Sequence, residues 1–450
     1  MYEKNHMFGN DKNQNNDHQA DIYKLFSKGV RLPYQILDIH NIPDAVKPDH
    51  FIEFRYGGFG SGLSAHPADQ NQFYVLTDRG PNTTYNVNQD HGKIFLNPSY
   101  TPRIGLFKLE MNGTVTKIKE ILLKNPDGQP ITGLPNQHFG ATKEIAYDQN
   151  AQVLVEGTDE FGLDSEGLVA LKDGTFWVSD EYGPHIVHFD ENGVEIDRIN
   201  AYEQDQRRKS GYLLPAEYAN RHPNRGMEGL AITPDQKKLV GIMQSTMSNP
   251  DSSVTKSDLV RIVMIDLESK AISQYLYKQE GGSTAHSNTA LAALNSTSFL
   301  VAERDDDFYK DNPNAFKRVY KINLNDATDL EKIYPSEHIK QHASVGLTID
   351  GATLEQYVLS AGWEGLAAHG ILPVGKILVV DLVERLQYPH DKIEGLWVID
   401  EHHLAVINDD DYAFSETDGV LQQKYLDQDQ KVIDGNTLYI IDHLDLKPMP

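Results

Sequence analysis

The stretches Ser165–Glu181 (SEGLVALKDGTFWVSDE), Met227–Gln244 (MEGLAITPDQKKLVGIMQ) and Ile393–Asp409 (IEGLWVIDEHHLAVIND) repeat one pattern. Each contains Glu-Gly-Leu, passes through a short polar segment and returns in an apolar run that ends in polar or acidic residues. Short apolar runs separated by turn residues are typical of antiparallel strands. The repeated pattern therefore predicts a strand, a tight turn and a returning strand at each of the three places.

Two weaker copies, Ser61–Arg79 and Asn288–Asp305, have a smaller polar residue in place of the opening glutamate. Further strand-like runs follow several copies, so that each repeat contains three or four strands. Strand groups that recur along an all-β chain are typical of propeller blades. We predict an all-β protein, a β-propeller of six blades, with five to seven compatible with the repeats. The sixth blade would come from 103–155, and irregular insertions would occupy 200–225 and 335–390.

The composition fits one soluble globular domain. The chain has 450 residues, of which 39% are hydrophobic and 24% are charged. We assign residues 31–450 to a single propeller domain and residues 1–30 to a disordered leader, because Met1–Ala20 is rich in polar residues and lacks a signal-peptide pattern. The longest apolar runs have the length of strands, so we predict no membrane span.

Charge and cysteine content exclude several functions. The formal net charge is −25, which disfavours nucleic acid as a partner because phosphate backbones need a basic surface. The chain has no cysteine, so disulfides and thiolate metal sites are excluded. A Gly-x-Ser-x-Gly elbow, a His-Glu-x-x-His pair and an EF-hand loop are also absent from the sequence.

The repeats predict one shared acidic site. The first strand of each blade lines the central channel of a propeller, so Glu166, Glu228 and Glu394 should converge near the axis. The returning strands should bring their acidic ends to the same mouth. These ends contain Asp78, Asp180, Glu181, Glu303, Asp305, Asp409 and Asp410.

Carboxylates crowded in one pocket must take up protons, pair with arginine or bind a hard cation. Calcium suits a site made only of oxygen atoms, and we predict calcium and no organic cofactor. The predicted metal ligands are Glu166, Glu228, Glu394, Asp78, Glu303, Asp305 and Asp410. The predicted catalytic residues are Glu228, Asp180, Glu181 and Asp409, and Arg79 and Arg304 would bind substrate. The alternative is that these acids only accept hydrogen bonds at strand ends and turns.

The motifs also resemble those of a known family, the phytase-like esterases. The resemblance is carried by Asp164–Leu168, by Trp177–Pro184 with its Asp-Glu-Tyr-Gly-Pro string, by Glu303–Asp305 and by Glu394–Leu396, and it runs from about residue 50 to about residue 445. A match of the Asp-Glu-Tyr-Gly-Pro string adds Tyr182 to the predicted substrate-binding residues.

The resemblance implies an extracytoplasmic location, periplasmic or secreted, and cleavage of phosphoesters by the acidic residues, by analogy with calcium-dependent propeller phytases. The chain departs from the family at Asp306–Phe308, where a glycine-rich turn is common. It also lacks the export signal that members usually carry.

Two hypotheses follow from the sequence. The first is a calcium-assisted phosphoester hydrolase acting on a small-molecule ester, with a lactonase-like calcium hydrolase as its variant. The second is a propeller without catalysis that binds a partner or a glycan through its rim loops. The oligomeric state stays open.

Overall fold

The computed structural model describes residues 19–87, 90–281, 285–417 and 419–450. Within these residues the repeats form five four-stranded antiparallel sheets, which we call blades 1 to 5. Their strands, from the inner to the outer, are Phe59–Ala65, Gln72–Thr77, Arg103–Leu109 and Val115–Leu122 in blade 1; Ser165–Ala170, Phe176–Asp180, Ile186–Phe189 and Glu195–Ile199 in blade 2; Met227–Ile232, Lys238–Met243, Leu259–Asp266 and Ile272–Lys278 in blade 3; Ser287–Ala293, Ser298–Arg304, Lys317–Asn323 and Gly375–Asp381 in blade 4; and Gly395–Val398, Leu404–Ile407, Thr437–Ile441 and Val30–Arg31 in blade 5.

The five inner strands contact one another in the order of the blades, and blade 5 contacts blade 1. This closed ring is the architecture of a β-propeller, which confirms the predicted fold class. The described residues form five blades and not the six that we favoured. The segment 103–155 does not form a separate blade, because Arg103–Leu109 pairs with Gln72–Thr77 and Val115–Leu122 pairs with Arg103–Leu109, which completes blade 1.

At the Glu-Gly step of the repeat, neighbouring blades approach one another closely. A Cβ atom on Gly62 would lie 2.7 Å from the carbonyl oxygen of Glu166, and one on Gly167 would lie 2.5 Å from that of Glu228. In blades 2 and 3 the pairing register shifts at this step. Such a bulge redirects a side chain, so the step that permits close packing also turns the glutamate toward the axis.

Residues before the first blade close the ring. Val30–Arg31 pairs with Thr437–Leu438 as the outermost strand of blade 5. Ile22, Tyr23 and Phe26 are buried in a cluster between blades 5 and 1. The predicted leader up to residue 30 is therefore wrong for residues 22–30, whose apolar side chains pack against the two blades. Residues 1–18 of that leader lie outside the described residues.

Because these residues close the ring, truncating one of their buried side chains should strongly destabilise the protein. Phe26 is fully buried, whereas its neighbour Leu25 is 49% exposed. We expect Phe26→Ala to lower the free energy of unfolding by about 3–5 kcal/mol, the usual cost of truncating a buried phenylalanine. Leu25→Ala is the matched control and should change it by less than about 1 kcal/mol. Chemical denaturation of both variants measures the difference, and equal effects would show that the segment does not close the ring.

The remaining elements decorate the blades. Two hairpins lie at the mouth of the channel, and we call Asn82–Val87 with Asp90–Phe95 the first rim hairpin and Phe414–Thr417 with Val420–Gln423 the second. The other strands are Gln35–Ile36, Arg55–Tyr56, Ile145–Tyr147, Ile339–His342, Gly346–Ile349 and Ala352–Thr353; the helices are Leu354–Ala368 and Leu382–Leu386, with 3-10 turns at Ala216–Asn220, Ser252–Val254, Leu330–Lys332 and Asp411–Ala413. None of the helices in the described parts of the chain has the length and apolar character to cross a membrane.

Candidate functional site

The channel mouth holds a polar cavity of about 380 Å³. Glu166, Glu228 and Glu394 all line it, as the repeat predicts. The predicted residues Asp78, Arg79, Glu181, Arg304 and Asp409 line it as well, from the ends of the second strands of four blades. The structure thus brings eight of the predicted residues together, while their roles stay predictions.

Blade 2 supplies the densest group of carboxylates. Asp164, Glu166 and Glu181 each offer one oxygen, and these three oxygens lie within 4.8 Å of one another. All three side chains are buried. Asp164 was missed as a ligand in the sequence analysis, although it directly precedes the repeated Ser-Glu-Gly-Leu stretch. The spacing of the oxygens suits a single hard cation.

Several buried oxygens around this group have no hydrogen-bond partner: Glu181 Oε1, Glu228 Oε2 and Gln244 Oε1. The amide of Gln244 donates to the other oxygen of Glu228, which leaves its own oxygen without a donor. Buried acceptors without donors are costly unless a cation or a proton meets them. A side-chain amide and carboxylates are the oxygen ligands that calcium prefers.

Three glutamates of the cavity, Glu166, Glu181 and Glu228, resist ionisation. Burial and then the neighbouring Glu394 raise the pKa of Glu228 to about 8. Burial and then Glu228 raise the pKa of both Glu166 and Glu181 well above the ordinary range. Each of these groups would ionise readily beside a divalent cation, because an opposite charge favours the charged form. The donor set therefore fits calcium.

Two of the arginines that line the cavity, Arg79 and Arg304, are each held by carboxylates. Arg304 donates to Glu394 at 2.7 Å and also pairs with Asp306. Arg79 pairs with Asp164 at 3.2 Å and with Glu144 at 3.6 Å. Each guanidinium keeps one buried N–H group without a hydrogen-bond partner, on Nε of Arg304 and on Nη1 of Arg79. These two groups are donors for which an anion is the natural acceptor.

Blade 5 adds a lysine that the sequence analysis missed. Lys392 lies 3.2 Å from Asp409 and 2.6 Å from Asp411 in the cavity wall. Burial and then Asp411 raise the pKa of Asp409 well above the ordinary range, whereas Lys392 lowers it. Lys392 precedes the repeated Glu394 by two residues, and this position is the only sequence feature that could have indicated a place in the site.

Asp78 lies at the blade 1 side of the cavity. Its Oδ1 accepts hydrogen bonds from the hydroxyl of Tyr412 at 2.6 Å and from the backbone N–H of Gly80 at 2.9 Å. Burial and then Asp164 raise its pKa to about 7. Asp78 is thus tied to the turn Asp411–Ala413, which leads into the second rim hairpin, as well as to the cavity.

Five predicted site residues do not line the cavity, and for them the alternative of a structural role is the better account. Asp180 accepts the backbone N–H groups of Asp164 at 2.8 Å and Gly183 at 2.9 Å, and burial raises its pKa to about 6. Tyr182 is fully buried and donates its hydroxyl to the carbonyl of Gly133. Both residues organise the turn after Phe176–Asp180.

The other three hold strand ends in blades 4 and 5. Glu303 accepts the hydroxyl of Tyr277 at 2.7 Å. Asp305 accepts the backbone N–H of Phe316 at 2.8 Å. Asp410 accepts the backbone N–H of Tyr412 at 3.2 Å, and burial raises its pKa to about 7.

The fold and the cavity define a class of protein, a β-propeller with a carboxylate-rich site at the mouth of its channel. The chain belongs to the phytase-like family described as "Esterase-like activity of phytase", which it matches over residues 55–412. A curated relative from Arthroderma benhamiae, named an uncharacterized secreted protein, is 30% identical. The matched part covers 43% of this chain and 45% of that relative, so it spans less than half the relative's length.

Solved structures show only a distant likeness. A luciferin-regenerating enzyme shares 10% identity at a TM-score of 0.33, covering 88% of this chain and 96% of the other. Virginiamycin B lyase from Staphylococcus aureus shares 10% identity at a TM-score of 0.29, covering 86% and 93%. Similarity at this level says nothing about what the chain does.

Proposed function

We propose that the protein is a calcium-assisted phosphoester hydrolase acting on a small-molecule ester. The observation that carries the proposal is that one cavity contains both buried acceptors and buried donors without hydrogen-bond partners. Buried oxygens of Glu181, Glu228 and Gln244 have no donor, while buried N–H groups of Arg79 and Arg304 have no acceptor. A cation would bind the oxygens, and the oxygens of a phosphoryl group would accept hydrogen bonds from the N–H groups.

Asp164, Glu166 and Glu181 would hold the cation, with Glu228 and Gln244 beside them. When bound, calcium supplies a Lewis acid that withdraws electron density from a phosphoryl oxygen. The three blade 2 carboxylates would neutralise the ion, so the cavity would carry less repulsion in the loaded protein. The family membership supports an ester as the substrate.

The two arginines and Asp409 would bind and activate the reactants. Arg304 Nε and Arg79 Nη1 would donate to phosphoryl oxygens, which orients the phosphorus and offsets the charge that develops on it. Asp409 would accept the proton of the attacking water as the water oxygen bonds to phosphorus and the P–O bond to the leaving group breaks, and the released alkoxide would take up a proton from solvent at the cavity mouth to leave as the alcohol. Lys392, 3.2 Å from Asp409, would hold that carboxylate in place and favour its charged form.

The proposed location is outside the cytoplasm. The relative from Arthroderma benhamiae is named as a secreted protein, and the family resemblance points the same way. The absence of cysteine is compatible with such a compartment. Millimolar calcium outside the cytoplasm would keep a moderately tight site loaded.

Calcium should stabilise the protein, and most strongly at alkaline pH. The pKa of Glu228 is raised from 4.5 to about 8, so the stability of the metal-free protein is greatest at low pH and falls as the pH rises through this range. Calcium at a hundredfold excess over its dissociation constant adds about 2.7 kcal/mol. We expect a melting temperature that falls between pH 5 and pH 8 in EDTA and is restored by calcium.

The same preparation tests the reaction. Phosphomonoester, phosphodiester and carboxylester substrates, each assayed with calcium and with EDTA, should show calcium-dependent cleavage of a phosphoester. Magnesium at equal concentration is the control, because it demands a smaller octahedral site. An unchanged melting temperature across EDTA and calcium would contradict the metal site. Calcium binding without cleavage of any ester would instead favour a propeller that only binds.

A further inference from the structure

The first rim hairpin carries one more cation into the cavity, Lys93. Arg79, Arg304 and Lys392 each lie within ion-pair distance of at least two carboxylates. In the described parts of the chain, Lys93 makes no such pair. Its Nζ donates instead to the hydroxyl of Thr84 across the hairpin, at 3.2 Å. Among these four cations, Lys93 is thus the one without a carboxylate at ion-pair distance in the described residues, and Glu144, Asp164 and Glu181 act on its charge only from further away.

We infer that Lys93 determines substrate specificity, by binding an anionic group that the substrate carries outside the scissile ester. This inference rests on the proposed function. The substrate class becomes a phosphoester with a second negative charge, a carboxylate or a further phosphate, which faces the cavity mouth while the scissile phosphoryl group lies deeper.

Position supports this role. The side chain of Lys93 is half-buried, whereas those of Arg79 and Arg304 are only 5% and 4% exposed. Lys93 therefore lies nearer the solvent, on the path by which a ligand enters. Arg79, whose buried Nη1 group has no hydrogen-bond partner, lines the same cavity and lies near enough to Lys93 to act on its charge.

Electrostatics supports it as well. Burial and then the nearby Arg79 guanidinium lower the pKa of Lys93 to about 8. An ammonium group that is partly desolvated beside another cation gains from a bound anion. The hydroxyl of Thr84, which holds Nζ now, is a weak partner that an anionic oxygen can replace.

The test compares two aryl phosphates, 4-nitrophenyl phosphate and an analogue with a carboxylate on the ring, on the calcium-loaded full-length protein. We expect Lys93→Gln to raise KM for the carboxylate-bearing ester by about 10-fold to 100-fold and to leave its kcat within about twofold. Both constants for 4-nitrophenyl phosphate should be unchanged. Lys93→Arg, which keeps the charge, should restore most of the affinity.

Lys119→Gln is the control, because it removes the same charge from a lysine that is exposed on Val115–Leu122, the outer strand of blade 1. Equal effects of Lys93→Gln on both esters, or a lower kcat at unchanged KM, would overturn the inference. So would a failure of the wild-type protein to prefer the carboxylate-bearing ester.

Calorimetry separates this inference from the hydrolase proposal, because it measures binding of the two esters without cleavage. If neither ester is cleaved but Lys93→Gln still weakens binding of the carboxylate-bearing one, the inference stands and the hydrolase proposal fails. If both are cleaved and the variant binds both as the wild type does, the inference fails and the hydrolase proposal stands. If the wild type binds neither ester, the inference is overturned.

Discussion

Glu166→Gln is expected to abolish calcium-dependent hydrolysis and, in the absence of metal, to make the protein more stable. Glu166 supplies one of the three oxygens that lie within 4.8 Å of one another. Its loss should therefore weaken calcium binding by at least about 100-fold, which is more than the loss of a residue that only positions a metal ligand would cause. The gain in stability follows from its raised pKa, which burial and then Glu228 cause. An amide of the same shape carries no charge for these neighbours to repel.

Calorimetric titration with calcium and melting curves in EDTA measure the two effects. Glu303→Gln is the matched control, because Glu303 is also a buried glutamate at a strand end but pairs with Lys376 at 3.0 Å. That variant should lose stability and keep its calcium affinity. A Glu166→Gln protein that binds calcium as the wild type does, or that melts earlier in EDTA, would contradict the proposed site.

Arg304→Ala is expected to destabilise the protein by about 3–5 kcal/mol, the usual cost of removing one partner of a buried ion pair. The carboxylate of Glu394, whose side chain is only 4% exposed, would lose its closest cation and keep the more distant Lys392 at 3.9 Å. Asp306 adds little to this cost because its side chain is 77% exposed. Chemical denaturation measures the loss, and the double variant Arg304→Ala with Glu394→Gln should recover most of it.

The catalytic part of the Arg304 prediction needs a variant that folds. Arg304→Lys keeps the positive charge beside Glu394 but removes the Nε–H group that has no partner. We expect this variant to keep its stability, to show about a 10-fold higher KM for a phosphoester and to cleave a carboxylester as before. If it loses both activities equally, or neither, Arg304 acts only as the structural partner of Glu394.

The fold could be predicted from the repeated Glu-Gly-Leu stretch because this stretch is where the blades meet. Close approach of neighbouring strands requires glycine at Gly62 and Gly167, and the bulge there aims Glu166 and Glu228 at the axis. The number of blades was harder to predict. Outer strands such as Val115–Leu122 face solvent on one side and carry no repeated motif, so their assignment to a blade depends on pairing.

The candidate site was predicted in part, and the errors share a physical cause. Successive side chains of a strand point to opposite faces, so only one of two adjacent acidic residues at a strand end can face the channel. Glu181 lines the cavity while Asp180 does not, and Asp409 lines it while Asp410 does not. Asp164 and Lys392 were missed because they lie just outside the repeat, where no pattern singles them out.

In the proposed function, Asp164, Glu166 and Glu181 hold a calcium ion at the channel mouth. The most direct test is a crystal structure of the protein grown with calcium chloride, with anomalous differences measured to identify the ion. We predict one anomalous peak within about 2.6 Å of an oxygen of each of these three carboxylates. A map without a peak there at saturating calcium, or with calcium bound only elsewhere on the surface, would contradict the claim.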